Sequence, residues 1–285
     1  MEWIARLNQA VRCLEDHLTE ETDYERLGRI ACCSAYHFQR MFAYMAGIPL
    51  SEYIRRRRMS LAAVDLQGGA RVIDVAAKYG YRSPTAFNRA FRSVHGVAPS
   101  AVRSGKAYVK SFPPLSFSIV VKGVEALEYR IETKGAFRIV GVSAPLHREL
   151  EQNFAVVPTL WQDCAADGTL ERLIALADGA PAGLLGVSLC PDGAPWRYFV
   201  AVPSSRPAPG LEEYEVPAAV WAVFPGSGTN RSVQELERRI FTEWLPASGY
   251  EYGDAPDLEV YLNPDPDDTV FEIWVPVRPK LSPAV

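Results

Sequence analysis

Ser34-Ala35-Tyr36-His37-Phe38-Gln39-Arg40-Met41-Phe42 is echoed 49 residues later by Ser83-Pro84-Thr85-Ala86-Phe87-Asn88-Arg89-Ala90-Phe91. Gly47 and Gly96 close the two copies at the same offset. Each copy has a serine that can cap a helix, two aromatics four residues apart, and a glycine stop. Pro84 strengthens the second start, because proline suits the first helical position. Phe38, Phe42 and Met45 share one helical face, as do Phe87, Phe91 and Val94, and those faces are expected core. Tyr36, Gln39, Arg40 and Ala43 then face outward in the first copy. Thr85, Asn88, Arg89 and Arg92 do so in the second.

A short helix precedes each copy, over 24–31 and over 73–79. Two helix-turn-helix pairs emerge, each placing its second helix where a major groove would receive it. Arginine can bridge O6 and N7 of guanine, and Gln or Asn can bridge N6 and N7 of adenine. One outward arginine alone would signify little. Two in matched register, each beside an amide, point to base reading. The run Arg55-Arg56-Arg57-Arg58 lies on a long helix between the copies. Four consecutive residues spread around a helix, so at least one must pack or pair internally.

Charge separates the chain in the same way. Residues 1–106 hold 16 Lys+Arg and 10 Asp+Glu, a balance of +6, whereas 107–285 hold 14 and 24, a balance of −10. Nucleic-acid contact is therefore expected in the first part only. No apolar run approaches a membrane span, and Met1-Glu2-Trp3 does not begin like a signal peptide. The five cysteines (Cys13, Cys32, Cys33, Cys164, Cys190) lack paired-ligand spacing and read as reduced cytosolic thiols.

Lys106–Pro114 reads as a linker, followed by an alternating strand at Leu115, Phe117, Ile119 and Val121. Further strands are expected near 128–133, 137–143, 184–190, 197–202, 214–216, 220–224, 258–262 and 270–277. Helices fit at 154–164, 170–177 and 232–245. A second repeat appears here. At an offset of 73, Val187, Leu189, Pro191, Asp192, Val202 and Pro203 match Val260, Leu262, Pro264, Asp265, Val275 and Pro276. Two strand-strand-helix-strand-strand units should form one sheet with both helices on one face. By parity, Tyr198, Val200, Val202, Phe271, Ile273 and Val275 should lie under the helices. Phe199, Glu272, Trp274, Glu259 and Tyr261 should line the other face, which by pattern alone reads either as a solvated strand face with Glu259 and Glu272 at the surface or as a site for a flat or cationic organic molecule.

Residues 8–104 resemble the DNA-binding domain of the AraC/XylS family of bacterial transcription regulators. The resemblance rests on Tyr53-Ile54-Arg55, Arg58-Met59, Ile73, Val75-Ala76, Tyr79-Gly80-Tyr81, Phe87-Asn88-Arg89-Ala90-Phe91, Gly96, Pro99-Ser100 and Arg103. It implies seven helices, with recognition helices entering successive grooves about 34 Å apart, and base contacts from Tyr36, Gln39, Arg40, Thr85, Asn88 and Arg89. Residues from about 113 onward resemble the GyrI-like small-molecule-binding domains of drug-sensing, Rob-like regulators. That rests on Tyr129-Arg130-Ile131, Arg138–Val142, Glu243-Trp244-Leu245-Pro246, Ser248-Gly249-Tyr250, Leu258–Tyr261 and Glu272–Pro276. It implies that Glu259 and Glu272 face a lipophilic cation between Tyr261 and Trp274, with Trp161 and Trp221 as further wall.

The expected fold is thus an all-α double helix-turn-helix domain over 1–106, a linker over 107–112, and an α+β sensor over 113–285. The expected function is a cytoplasmic regulator that reads an asymmetric DNA site and senses a small hydrophobic or cationic compound. Its expected partners are double-stranded DNA, that ligand and RNA polymerase, with no cofactor, metal, membrane or catalytic residue. Two alternatives are a GyrI-like hydrolase using a pocket glutamate, and a ligand-free protein-interaction module.

Overall fold

The structure, a computed structural model, describes residues 2–105, 107–118, 126–191, 193–263, 265 and 268–280. Seven helices come first: α1 (Glu2–Asp16), α2 (Tyr24–Ala31), α3 (Ala35–Ala46), α4 (Leu50–Gln67), α5 (Val72–Lys78), α6 (Pro84–His95) and α7 (Pro99–Arg103). The two echoed phrases are α3 and α6. The Ser34 hydroxyl accepts from the His37 N–H at 3.3 Å, and the Ser83 hydroxyl accepts from the Ala86 N–H at 3.2 Å. Such caps contribute about 1 kcal/mol each. Gly47 and Gly96 end the helices at φ of 68° and 77°, a left-handed turn that costs glycine little.

Helix α4 joins two small cores. Phe38 and Phe42 pack with Leu7, Leu14, Tyr53 and Ile54 on one side. Phe87 and Phe91 pack with Met59, Leu66, Val75 and Tyr79 on the other. All four arginines of the run serve this scaffold. Arg55 and Arg56 pair with Glu52, Arg57 pairs with Glu15 at 2.7 Å, and Arg58 donates to the carbonyls of Leu18 and Glu20.

The strand expected at 115–121 is not found where it is described. Leu115 and Phe117 instead pack on the first helical core. The Leu115 N–H donates to the Tyr53 hydroxyl, and Phe117 exchanges two hydrogen bonds with Asn8. Alternation in this stretch reflects an extended segment lying on helices rather than on a sheet. Ile119 and Val121 lie outside the described residues.

The second part contains β1 (Arg130–Lys134), β2 (Phe137–Leu146), α8 (Val156–Ala166), α9 (Thr169–Leu176), β3 (Leu184–Leu189), β4 (Trp196–Pro203), β5 (Glu212–Val216), β6 (Ala219–Gly228), α10 (Asn230–Arg239), β7 (Tyr250–Tyr252), β8 (Asp257–Tyr261) and β9 (Thr269–Pro279). A π-helical turn, Ile240–Trp244, continues α10. The main sheet runs β1-β6-β9-β8-β3-β4-β2-β5, and β7 pairs with the far end of β9. This order is a pseudo-twofold about the β3–β8 pair, as the 73-residue repeat requires.

The leading strand of each unit is exchanged: β1 pairs with β6, and β5 pairs with β2. That exchange forces the sheet to roll. Only Gly135 and Ala136 separate β1 from β2, a link that reaches about 11 Å. In a flat sheet the two strands would stand six spacings, about 29 Å, apart. Rolling brings Phe137 of β2 against Trp221 of β6, ring centroids 6.4 Å apart. The inner face holds Leu185, Val187, Phe199, Ala201, Trp221, Val260 and Trp274. The outer face carries α8 and α9 on one unit and α10 on the other.

Candidate ligand pocket and DNA-reading helices

Helix α3 is buried on both sides. Its inner side packs within the helical part; its outer side lies against the sheet-containing second part. Tyr36, Gln39 and Arg40 are 8 %, 1 % and 7 % exposed. The Arg40 guanidinium donates to Asp257 at 3.1 Å and is held closely by Glu237. The rings of Tyr36, Tyr44 and Phe241 surround it at 5.6, 6.0 and 5.7 Å. The His37 Nε2 lies 2.7 Å from Asp257, and the Tyr44 hydroxyl donates to Glu237 at 2.6 Å. Gln39 donates to the Arg148 carbonyl at 2.8 Å and accepts from the Leu150 N–H at 3.3 Å. The Tyr36 hydroxyl meets Ser188 at 3.3 Å.

Helix α6 presents the opposite case. Thr85 and Arg89 are exposed and Asn88 is half-buried. The Asn88 Oδ1 is buried without a hydrogen-bond partner. The two helices share one scaffold yet stand in different surroundings, one covered by protein and one open.

Under α3 lies a cavity of about 850 Å³. Tyr198, Glu259 and Tyr261 form its floor, Trp161 of α8 and Val233 and Glu237 of α10 its walls, and Tyr36, Arg40 and Tyr44 of α3 its roof. The floor is one hydrogen-bonded chain. The Trp161 indole N–H donates to the Tyr198 hydroxyl at 3.1 Å. Tyr198 and Tyr261 each donate to the Glu259 Oε2 at 2.9 Å. Trp161 also meets Tyr261 edge-on, centroids 5.1 Å apart. Among the described residues, the Glu259 Oε1 takes no hydrogen bond. Burial, and then the charge of Glu237, push the Glu259 carboxyl up to about 7, against the pull of Arg40 and the two phenols. Burial and the neighbouring Glu259 charge hold Tyr198 well above the ordinary phenol range.

Glu259 owes its room to Gly186, its partner across β3 and β8. A Cβ on Gly186 would stand 2.1 Å from the Tyr198 hydroxyl and 2.8 Å from the Glu259 Oε2.

Glu259 and Tyr261 do not share a face with Glu272 and Trp274, contrary to the parity expectation. Glu259 pairs with Ile273, and Tyr261 with Phe271, so both point to the helix-covered side. That register decides the face, because a one-residue slip between β8 and β9 would reverse every side chain. Glu272 belongs to the other face. Arg130 binds both its oxygens, at 2.7 and 3.0 Å, and the Trp274 indole donates to it at 2.9 Å. Burial pushes Glu272 up, but those bonds outweigh it and hold its carboxyl below the ordinary range. Trp274, Trp221 and Phe199 are core of the rolled sheet, 1 %, 0 % and 3 % exposed.

Sequence reasoning missed Tyr198, Tyr44, Glu237 and Asp257. Tyr198 carried a usable signal, since its repeat equivalent is Phe271 and only one of the two has a hydroxyl. Glu237 carried none; it sits in a charged stretch, Glu235–Arg239, that reads as a solvated helix face. Among the described residues, no His/Cys/Asp/Glu group could hold a metal, and no helix is long and apolar enough to cross a membrane.

Family comparison fits both halves. Residues 127–278 match the GyrI-like small molecule binding domain, and 27–105 match a helix-turn-helix domain. The transcriptional activator AarP of Providencia stuartii is 37 % identical over 91 residues, covering 32 % of this chain and 67 % of AarP. The transcriptional regulator Rob of Salmonella typhimurium is 36 % identical over 91 residues, covering 32 % of each chain, so about two thirds of Rob lies outside the match. Among solved structures, SAV2435 bound to tetraphenylphosphonium is 22 % identical with a TM-score of 0.48, covering 53 % of this chain and 94 % of that one. The chain belongs to the GyrI-like small-molecule-binding family, with an AraC-type DNA-binding helix-turn-helix domain ahead of the sensor. That is the domain pairing of a transcription regulator.

Proposed function

We propose that this protein is a ligand-responsive transcription regulator that reads an asymmetric DNA site with α3 and α6. Thr85, Asn88 and Arg89 serve one half-site; Tyr36, Gln39 and Arg40, which do not face outward as expected but are covered by the C-terminal domain, serve the other only once α3 is uncovered. The two triplets differ at two of three positions, which favours unlike half-sites over a palindrome. The effector is a hydrophobic, cationic compound held on Glu259, Tyr198, Tyr261 and Trp161. One observation carries this reading: a half-buried carboxylate with an open oxygen sits on an aromatic floor, in a cavity large enough for a drug-sized molecule.

Calorimetry of the full chain with methyltriphenylphosphonium tests the effector site. Saturable binding that is lost in Glu259→Gln supports it; equal affinity in both proteins sinks it. A map of bound chromosomal DNA, with and without compound, tests the regulator role.

A further inference from the structure

Arg40 is itself a bound cation. Glu237, Asp257 and the Phe241 ring receive its guanidinium from the facing domain, while Tyr36 and Tyr44 flank it from α3 itself, and carboxylates beside an aromatic ring also receive organic cations. Arg40 and Glu237 also line the cavity that Glu259 floors. The cage and the cavity are therefore continuous, and their carboxylates (buried Glu237 and Asp257, half-buried Glu259) outnumber their guanidinium, with His37 2.7 Å from Asp257 as the other basic side chain.

The face opposite α3 has a second property. Arginine reads guanine through two acceptors, and glutamine reads adenine through one acceptor and one donor. Glu237 and Asp257 give Arg40 its acceptors. The Arg148 carbonyl and the Leu150 N–H give Gln39 an acceptor and a donor. The sensor thus satisfies on α3 the same hydrogen-bonding groups that a major-groove edge would satisfy. DNA and sensor cannot hold Arg40 together.

Undocking α3 without replacement takes from Glu237 both Arg40 and the Tyr44 hydrogen bond and leaves Glu237 and Glu259 as neighbouring carboxylates with no counter-charge, which is unfavourable. We infer that the pocket takes an aromatic organic cation that replaces Arg40 as the counter-charge of Glu237 and thereby releases α3 to DNA. The inference rests on the pocket being the effector site and adds the sign of the coupling. Ligand and the first half-site cooperate, and by linkage DNA raises ligand affinity by the same factor. A ligand that only filled the cavity would fasten α3 in place.

Two probes of similar shape separate charge from bulk: methyltriphenylphosphonium and neutral triphenylphosphine oxide. Binding is read by calorimetry, and docking by amide exchange over residues 36–45, with 85–94 as internal control. The cation should lower protection of 36–45 about tenfold or more and leave 85–94 unchanged, while the oxide does neither. Arg40→Met should bind the cation about tenfold tighter, because its competitor is gone. Glu237→Gln should bind it about tenfold more weakly and show low protection of 36–45 without ligand. This second variant decides the matter if Arg40→Met does not fold. Unchanged or raised protection with bound cation overturns the exchange and leaves the effector site standing. So does weaker cation binding by Arg40→Met, or equal loosening by the oxide. If neither probe binds, both readings fall.

Discussion

Gly186 and Glu259 face each other across the central strand pair, and they are also equivalent positions of the 73-residue repeat. The pseudo-twofold axis passes between them. A glutamate on both strands would set two carboxylates against each other, and even a Cβ at 186 would meet the Tyr198 hydroxyl and Glu259 Oε2 at 2.1 and 2.8 Å. One copy kept a carboxylate and the other gave up its side chain. With Tyr198 against Phe271, it is one of the differences that make the pocket asymmetric.

Gly186→Ala should therefore destabilise the protein by about 1–3 kcal/mol, the usual cost of overpacking. It should also push the Tyr198 hydroxyl off Glu259. Thermal unfolding reads the first effect and calorimetry with methyltriphenylphosphonium the second. Wild-type stability with intact binding would show that the floor is looser than described.

The pH dependence has a definite sign. A cation binds the ionised Glu259, whose carboxyl titrates near 7 beside Glu237, Arg40, Tyr198 and Tyr261. Affinity should rise about tenfold between pH 6 and pH 8, with proton release on binding. Glu259→Gln should give a flat profile. Stability of the free protein runs the other way. The folded state holds this proton more tightly than the unfolded chain, so its contribution is full at acid pH and is lost as pH rises through about 7. Relative to wild type, Glu259→Gln should gain stability above that point.

The two reading helices should respond unequally. On a site selected from random duplexes by the ligand-bound protein, Arg40→Ala and Arg89→Ala should each cost about 1–3 kcal/mol and relax preference in one half. Without ligand, Arg89→Ala should keep its cost and Arg40→Ala should lose most of it. Equal losses on specific and random DNA would make both arginines phosphate contacts.

Trp221→Ala tests the reassigned face. Removing this ring from the rolled sheet should cost about 3–5 kcal/mol of stability. The folded fraction should bind methyltriphenylphosphonium with unchanged affinity. A selective loss of binding would return the inner face to consideration as the site.

Much of this was legible in the sequence because it is local. Ser34, Gly47, Ser83 and Gly96 announce α3 and α6 by capping chemistry, and the 73-residue offset announces the pseudo-twofold. What was hidden depends on contacts between distant segments. The face of Glu259 turns on the register of one hairpin, which alternation alone leaves undetermined. The burial of Arg40 turns on Glu237 and Asp257, about 200 residues away in an acidic region that looks solvated. β7 was hidden by its length of three residues, and the exchange of β1 and β5 by the fact that pairing partners are not encoded in period.

The order of the chain gives the docked α3 a history. Arg40 is synthesised early and its sensor contacts late, with Asp257 following 217 residues behind. At about 5–20 residues per second, that gap lasts roughly 10–40 s. A nascent chain therefore carries α3 for that interval before Glu237 and Asp257 exist to cover it. If α3 reads DNA as proposed, each new copy is free to do so until its own C-terminal half catches up.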